Sequence, residues 1–357
     1  MQQKKKKLPF IVKIILLVLL VILLAVGVWL ADYFLIPKVE KTGIKAPVDY
    51  HTEVAAAETE VAATDTVEET PTDQTREPDD KYPVLLDQFP TDMLDQPVEA
   101  GTGSMDDPVG TTVLGASDDG VNQIVVTKTV TGEGDERLTY FVADIHVEDV
   151  KELKTCLAKD TYGENVYEKT TEMADRCQAI LAVNGDCYGW RDDGIVIRNG
   201  QLLRDQPARE GLAVYQDGHI EVYDENQTNG QALVDAGVWN TFSFGPALIQ
   251  NGQQVDGLHD DYQVDLTGGL QHKHPRTAIG QINSHHFVLV VVDGRHPGYS
   301  RGARMWELAD IMQELGCKTA YNLDGGSSST MYFKGQVVNH PSSKKGERSV
   351  SDCIFIN

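Results

Sequence analysis

Residues 287–326 read FVLVVVDGRHPGYSRGARMWELADIMQELGCKTAYNLDGG, and this stretch combines strand and helix patterns within one domain. The purely apolar residues 287–292 are typical of a strand that is buried on both faces. Apolar side chains recur at about 3.6-residue spacing over 305–315, which predicts an amphipathic helix that ends at Gly316. Residues 319–323 then predict a second buried strand. The block therefore indicates a domain in which helices and strands pack together.

Short apolar segments separated by turn residues surround this block and predict further strands. These segments are 123–130, 139–147, 179–183, 194–198, 201–203, 212–215, 219–223, 247–249, 277–282, 330–333, 336–338 and 353–356. Residues 150–159 and 170–177 are predicted as helices. Because helices and strands mix without a regular alternation, we predict an α+β or mixed α/β fold with a large twisted sheet.

The amino terminus carries the pattern of a membrane anchor. Four lysines at 4–7 precede residues 14–31, which contain no charge. Such a run can cross a hydrocarbon core of about 30 Å, and basic residues favour the cytoplasmic side. We therefore predict a cytoplasmic tail over 1–13 and a transmembrane signal-anchor over 14–36. The rest of this single-pass protein is then extracellular. A cleaved signal peptide is the alternative, although its apolar region is usually shorter.

The segment after the anchor is predicted to be a spacer. Residues 51–80 hold ten acids, one base and no aromatic side chain. Such a composition cannot bury enough apolar surface to offset the entropy of ordering the chain. We predict an acidic disordered linker over 37–115 and one folded domain over 116–357.

The composition limits the partners that the chain can have. Fifty-four acidic residues against 31 basic ones give a formal net charge of −23, which argues against a nucleic-acid partner. A hydrophobic content of 41% is compatible with a folded core and excludes wholesale disorder. The five cysteines lack CxxC spacing and are predicted to be buried apolar residues, with one or two disulfides left open.

Three apolar strands end in the same signature, a carboxylate beside glycine. They are 183–186, 292–295 and 323–326, with sequences VNGD, VDGR and LDGG. Glycine at such a position lets a ligand approach the backbone closely. A single Asp-Gly pair is commonly only a turn, but three in one domain predict a functional cleft.

Basic and glycine-rich segments near these strand ends suit a phosphate group. Arg276 and Arg295 can bind phosphate through two parallel hydrogen bonds, although ion pairs with the same aspartates are the alternative. Residues 325–330, GGSSST, can hold an anion with consecutive backbone N–H groups, and a flexible loop is the alternative. His296 is the histidine that we expect to reach a substrate.

The stretch from 293 to 339 closely resembles the phosphodiester glycosidase family. Further segments share the resemblance, namely 182–185 (AVNG), 194–197 (GIVI), 244–246 (FGP) and 275–280 (PRTAIG). The family includes N-acetylglucosamine-1-phosphodiester α-N-acetylglucosaminidase-like proteins and bacterial proteins of the exopolysaccharide biosynthesis type. The resemblance covers roughly residues 139–357.

The resemblance implies a hydrolase that cleaves the bond between a sugar C1 and a phosphodiester oxygen, in cell-envelope or exopolysaccharide glycans. On this interpretation the catalytic residues are Asp324, Asp186 and Asp293, the last of them orienting Arg295 or sugar hydroxyls. The substrate-binding residues are Arg276, Arg295, Asn184, Asn322, Gly325, Gly326, Ser327, Ser328 and His296. No cofactor is required, but oxygen-rich Asp186 and Asp324 could hold Ca²⁺.

Two other functions stay open at this stage. The first is a binding module for polysaccharides or phosphate polymers that uses the same pocket without turnover. The second is a membrane-anchored scaffold for envelope assembly, in which the acidic spacer is the working part. Release of sugar from a sugar-1-phosphodiester would distinguish the hydrolase from both.

Overall fold

The computed structural model describes residues 10–34, 38–39, 89–259 and 269–357. The predictions for residues 1–9 and for most of the linker, residues 40–88, lie outside the described residues. The α-helices are α1 Phe10–Phe34, α2 Thr170–Arg176, α3 Gly230–Asp235 and α4 Met305–Glu314.

Antiparallel strands make up most of the regular secondary structure in the described chain. They are β1 Lys38–Val39, β2 Gly110–Asp118, β3 Asn122–Thr131, β4 Leu138–Val147, β5 Lys154–Leu157, β6 Gly163–Glu164, β7 Glu168–Lys169, β8 Leu181–Asn184, β9 Gly194–Arg198, β10 Gln201–Gln206, β11 Glu210–Tyr215, β12 Ile220–Asp224, β13 Val238–Phe242, β14 Ala247–Gln250, β15 Gln253–Gln254, β16 Arg276–Asn283, β17 His286–Val292, β18 Thr319–Leu323, β19 Met331–Phe333, β20 Gln336–Val337, β21 Ser349–Val350 and β22 Asp352–Ile356.

Two sheets organise these strands. The larger has eight strands in the order β15-β14-β18-β16-β17-β4-β3-β2, and the second has five in the order β20-β19-β8-β22-β5. A three-stranded sheet, β12-β11-β13, and short two-stranded pairs complete the fold. The prediction of a sheet-rich, mixed α+β fold with a large sheet is confirmed.

Strand β17 shows why its sequence is apolar throughout. Alternate side chains face the core between the two large sheets, namely Phe287, Leu289 and Val291. The other three pack beneath α4, namely Val288, Val290 and Val292. Helix α2 covers the outer face of the five-stranded sheet, where Met173 contacts the cluster around Phe355. The domain therefore has four layers: helix, sheet, sheet and helix.

The prediction of a helix over 150–159 is wrong. Its centre is strand β5, which pairs with β22 so that Cys156 lies opposite Cys353, with a single 3-10 turn on either side. Pairing with a distant strand overrides the local helical pattern. The sequence did not predict helix α3, nor the strands β1, β2, β6, β7, β13, β15 and β21.

Part of the predicted linker belongs to the folded domain. Strand β2 begins at Gly110, before the predicted domain boundary at 116. Val98 is buried, and the Gly101 N–H donates to the Val337 carbonyl at 2.8 Å. The Lys334 ammonium donates to the Leu94 carbonyl at 2.5 Å. The described residues 89–115 therefore pack on the domain, which corrects the prediction for that part.

Among the residues that the structure describes, no helix has both the length and the apolar composition needed to cross a membrane. The transmembrane anchor stays a prediction.

One disulfide joins Cys156 of β5 to Cys177 at the end of α2. Cys187, Cys317 and Cys353 are free, and the last two are buried. Burial confirms the prediction for Cys317 and Cys353, and one of the disulfides left open is present.

Candidate functional site

The strand order brings chain-distant residues together at one end of the large sheet. Strand β16 runs antiparallel between β17 and β18, so Arg276 at its start lies opposite Val292, and Thr277 lies opposite Leu323. The residues that follow β17 and β18 therefore meet the beginning of β16. A cavity of about 200 Å³ opens at this end.

The cavity gathers most of the residues that the sequence predicted. It is lined by Phe244, His274, Arg276, Arg295, Asn322, Leu323, Asp324, Gly325, Gly326, Ser327 and Arg348. The predicted residues outside this lining are Asp186, Asp293, Asn184, Ser328 and His296. The sequence interpretation missed Phe244, His274, Leu323 and Arg348.

Asp324 supplies the carboxylate of the cavity. Its backbone is fixed at the end of β18, since its N–H donates to the Gly185 carbonyl at 3.3 Å and its carbonyl accepts from Asn184 Nδ2 at 2.7 Å. Burial raises the pKa of Asp324 to about 6, although the neighbouring Ser328 hydroxyl and the Arg348 charge oppose the rise. The carboxylate therefore changes charge just below neutral pH.

Arg276 lines the cavity, and backbone carbonyls hold its guanidinium in place. Its Nε donates to the Ala303 carbonyl at 3.1 Å, and its Nη2 donates to the His272 carbonyl at 3.0 Å. Burial, together with the charge of Arg295, lowers the pKa of Arg276 to about 10. The guanidinium is therefore still charged at neutral pH and held in one place.

Arg295 enters from the loop after β17 with a positive φ of 63°. Its Nη1 donates to Ser327 Oγ at 3.5 Å, and its Nη2 lies 3.3 Å from His274 Nδ1. Partial burial and the charge of Arg348 lower the pKa of Arg295. Three guanidiniums thus share one cavity and repel one another, an arrangement that an anion such as phosphate relieves.

The glycine-rich loop, residues 325–330, does not present the predicted row of free N–H donors. Its glycines instead let Arg295 lie close to the backbone. The Gly326 N–H donates to the Pro275 carbonyl at 2.8 Å, and the Ser328 N–H donates to the Gly325 carbonyl at 3.2 Å. Gly326 has a φ of +64°, and a Cβ there would lie 3.2 Å from Arg295 Nη2. Glycine is needed because Arg295 packs against the backbone. Ser328 is buried and does not line the cavity.

Asp186 lies in a buried ion-pair network outside the cavity. Its Oδ1 accepts from the Tyr188 N–H at 3.0 Å and lies 3.1 Å from Arg198 Nη2, while its Oδ2 accepts from the Ser243 N–H at 3.0 Å. Burial opposes ionisation, but Arg198 and Arg191 hold the pKa of Asp186 below its usual range. Its oxygens are already used, so the structure does not support the predicted catalytic role.

The same contacts bear on the predicted calcium site. Asp186 has both oxygens engaged by protein donors, and Asp324 is the one carboxylate of the described cavity lining. No group of three or more His, Cys, Asp or Glu side chains in the described chain is placed to hold a metal. The residues present therefore do not fit Ca²⁺, which needs six or more oxygen ligands.

Asp293 organises loops and is 1% exposed. Its Oδ1 accepts from Asn339 Nδ2 at 2.8 Å, and its Oδ2 accepts from the Tyr299 hydroxyl and the His340 N–H, both at 2.8 Å. Burial raises its pKa to about 6 despite these donors. Asp293 ties the loop after β17 to residues 339–340 and does not reach the cavity.

The two predicted asparagines have different roles. Asn184 is fully buried, and its Oδ1 accepts from Thr277 Oγ1 at 3.0 Å and the Thr330 N–H at 3.2 Å, so it joins the two large sheets. Asn322 lines the cavity, and its Nδ2 donates to the Gly245 carbonyl at 2.7 Å. Its Oδ1 is buried and accepts no hydrogen bond within the described chain. A sugar hydroxyl or water could satisfy that acceptor.

His296 is not brought to the cavity. Its ring stacks on His340, with the ring centroids 4.3 Å apart. The missed residues differ in their signals: Phe244 and His274 belong to or adjoin the FGP and PRTAIG segments, whereas Arg348 has no motif around it.

The sequence is similar to those of curated proteins. The chain is 31% identical over 205 residues to the SPbeta prophage-derived uncharacterized protein YomE of Bacillus subtilis, covering 55% of this chain and 30% of that protein. It is 37% identical over 67 residues to N-acetylglucosamine-1-phosphodiester alpha-N-acetylglucosaminidase of Bos taurus, covering 19% of this chain and 12% of that one. The chain thus spans less than a third of the length of these curated relatives.

The fold has a solved counterpart. The catalytic domain of zebrafish N-acetylglucosamine-1-phosphodiester alpha-N-acetylglucosaminidase, solved as a form auto-inhibited by its pro-peptide, superposes with a TM-score of 0.54 at 18% identity. The match covers 72% of this chain and 87% of that domain. A sequence model of the phosphodiester glycosidases matches residues 177–357, which is about half of the chain. The matched range includes every residue that lines the cavity. The chain therefore belongs to the phosphodiester glycosidase family.

Proposed function

We propose that this protein hydrolyses glycosyl phosphodiesters at the bond between the sugar C1 and the phosphate oxygen. The observation that carries the proposal is one carboxylate, Asp324, in a cavity that three guanidiniums share. The carboxylate suits chemistry at the anomeric carbon, and the guanidiniums suit the phosphate. The curated relatives named for N-acetylglucosamine-1-phosphodiester support a substrate of that class.

The residues of the cavity can supply each step of this hydrolysis. A water oxygen forms a bond to C1, the bond from C1 to the phosphate oxygen breaks, and a phosphomonoester leaves. In this proposal the ionised Asp324 accepts the proton of the attacking water, and Arg276 and Arg295 stabilise the charge on the leaving phosphate. Because a phosphomonoester leaves without strong acid assistance, a single carboxylate is sufficient for direct displacement.

The setting of the reaction is also part of the proposal. The uncharged run at 14–31 and the lysines at 4–7 support a single-pass anchor with the domain outside the cell membrane. An enzyme tethered there would act on cell-envelope or exopolysaccharide glycans that carry sugar-1-phosphodiester links. The oligomeric state plays no part in this proposal.

The test uses the full chain in detergent and an N-acetylglucosamine-1-phosphodiester, with release of free sugar as the readout. Asp324→Asn keeps the shape and removes the charge, so sugar release should fall by about a hundredfold or more. Asp235→Asn is the matched control, since Asp235 is exposed on α3 away from the cavity. Near-normal turnover of folded Asp324→Asn would remove Asp324 from the mechanism.

A second arm tests the phosphate. Arg295→Lys keeps a positive charge but loses the planar fork, so it should weaken phosphodiester hydrolysis more than hydrolysis of an aryl glycoside without phosphate. Equal losses on both substrates would mean that Arg295 only supports the cavity. If the wild-type chain binds phosphate but releases no sugar from any glycosyl phosphodiester, the protein is a binding module and the hydrolase proposal fails.

A further inference from the structure

Arg348 lines the cavity, and it contacts an aromatic pair. Its Cζ lies 4.9 Å from the centroid of the Trp190 ring. The Trp190 ring in turn stacks on Tyr167, with the centroids 5.1 Å apart and an interplanar angle of 27°. The Tyr167 hydroxyl donates to the Gly189 carbonyl at 3.0 Å, which anchors the stack to the loop after β8.

Arg348 differs from the other two arginines in what its donors do. Arg276 donates to backbone carbonyls, and Arg295 contacts Ser327 and His274. For Arg348 the described chain shows the cation–π contact with Trp190 and no hydrogen bond or ion pair. A cation–π contact uses none of the N–H donors of a guanidinium, and its five donors suit the oxygens of a phosphate.

From this geometry we propose that Arg348 binds the non-bridging phosphate oxygens of the substrate and that Trp190 is its positioning residue. The inference rests on the proposed function and adds the residues that select a phosphodiester over a plain glycoside. Trp190 is 43% exposed, and an exposed tryptophan in this place is explained by its role as a platform for Arg348. Without the ring, the long Arg348 side chain would sample many rotamers and lose its fixed approach to the cavity.

Arg348 also acts on Asp324. Its charge opposes the burial that raises the pKa of that carboxylate. Removing the charge should therefore raise the pKa of Asp324 further and move the lower limb of the pH–rate profile to higher pH. A residue that only supported the loop would not produce that displacement.

The experiment compares four variants of the full chain: Arg348→Ala, Trp190→Ala, Trp190→Phe and Lys345→Ala. Lys345 is exposed on the same loop, does not line the cavity, and controls for the general loss of one positive charge. Calorimetry measures the binding of inorganic phosphate, and kinetics compare a glycosyl phosphodiester with an aryl glycoside.

For Arg348→Ala we expect phosphate affinity to fall at least about tenfold, KM for the phosphodiester to rise by a similar factor, and the pH limb to move upward. Trp190→Ala should show a smaller loss of the same kind, whereas Trp190→Phe keeps an aromatic face and should restore binding. Lys345→Ala should stay within about twofold of wild type.

Wild-type phosphate affinity in Arg348→Ala, or a loss no larger than that of Lys345→Ala, would overturn the proposal. An equal loss in Trp190→Phe and Trp190→Ala would remove the platform role of Trp190. If wild type releases no sugar, the proposed hydrolase function fails, while the phosphate measurements still decide the role of Arg348.

Discussion

The protonation state of Asp324 should decide when the protein is active. With a pKa of about 6, the carboxylate is mainly protonated at pH 5 and mainly ionised at pH 7. If it accepts a proton from water, kcat/KM should rise about tenfold per pH unit below pH 6 and level off above it. A pH–rate profile checks this, and the limb should vanish in Asp324→Asn. A rate that falls as pH rises through 6 would show that the protonated form is active.

Arg198 contacts two buried carboxylates, and its loss should destabilise the fold. Its Nε lies 2.7 Å from Asp352 Oδ2, and its Nη2 lies 3.1 Å from Asp186 Oδ1. Arg198→Met should lower the free energy of unfolding by about 3–5 kcal/mol, because it leaves buried charge without a partner. Urea denaturation measures the change. Arg209→Met breaks a more exposed pair with Asp193 and should cost no more than about 1 kcal/mol. Similar costs in the two variants would contradict the prediction.

Residue patterns predicted where the site lies better than which way each side chain points. Asp324 and Asp293 both follow apolar strands and precede glycine, yet only Asp324 lines the cavity. Asp293 turns toward Tyr299 and Asn339, which come from distant segments that no local pattern reveals. Asp186 likewise forms an ion pair with Arg198, which no local pattern around Asp186 reveals. Arg348 was missed because its position depends on Trp190, 158 residues earlier in the chain.

A side chain at Gly326, in the turn after β18, should weaken both the fold and phosphodiester binding. Its φ of +64° strains any other residue, and a Cβ would press on Arg295. Gly326→Ala should cost about 1–2 kcal/mol of stability and raise KM for a phosphodiester several-fold. Gly335→Ala, with a φ of +87° and open space around the position, has the backbone cost alone. Thermal unfolding and kinetics of both variants separate the two effects, and an equal KM would contradict the displacement of Arg295.

Elements with a strong period were predicted well, and elements that depend on distant partners were not. Strand β17 and helix α4 follow from their apolar spacing alone. Strand β5 was predicted as helix because its pairing with β22 joins positions nearly two hundred residues apart. Strand β2 lies at the edge of the large sheet, and its polar residues gave no signal against an acidic linker.

For the whole molecule, the charge asymmetry of the amino terminus predicts its topology. If residues 14–31 span the membrane with the lysines inside, protease added to intact cells should release a soluble acidic domain. Immunoblotting of the medium and of the cell pellet measures the release. A domain that stays protected until the cells are lysed would contradict the orientation.

The three arginines of the cavity sit within a chain whose formal net charge is −23. A polyanionic glycan therefore meets long-range repulsion before its phosphate reaches the short-range attraction of the guanidiniums. Salt at 0.1 M screens the long-range repulsion beyond about 10 Å, while the partly buried contacts of the cavity are screened less. Raising ionic strength from about 10 to 100 mM should accordingly speed the encounter with a polymeric substrate, and kcat/KM should rise. A small neutral glycoside should respond little to the same change. If added salt instead lowers kcat/KM for the polymeric substrate, the local attraction of the guanidiniums dominates its approach.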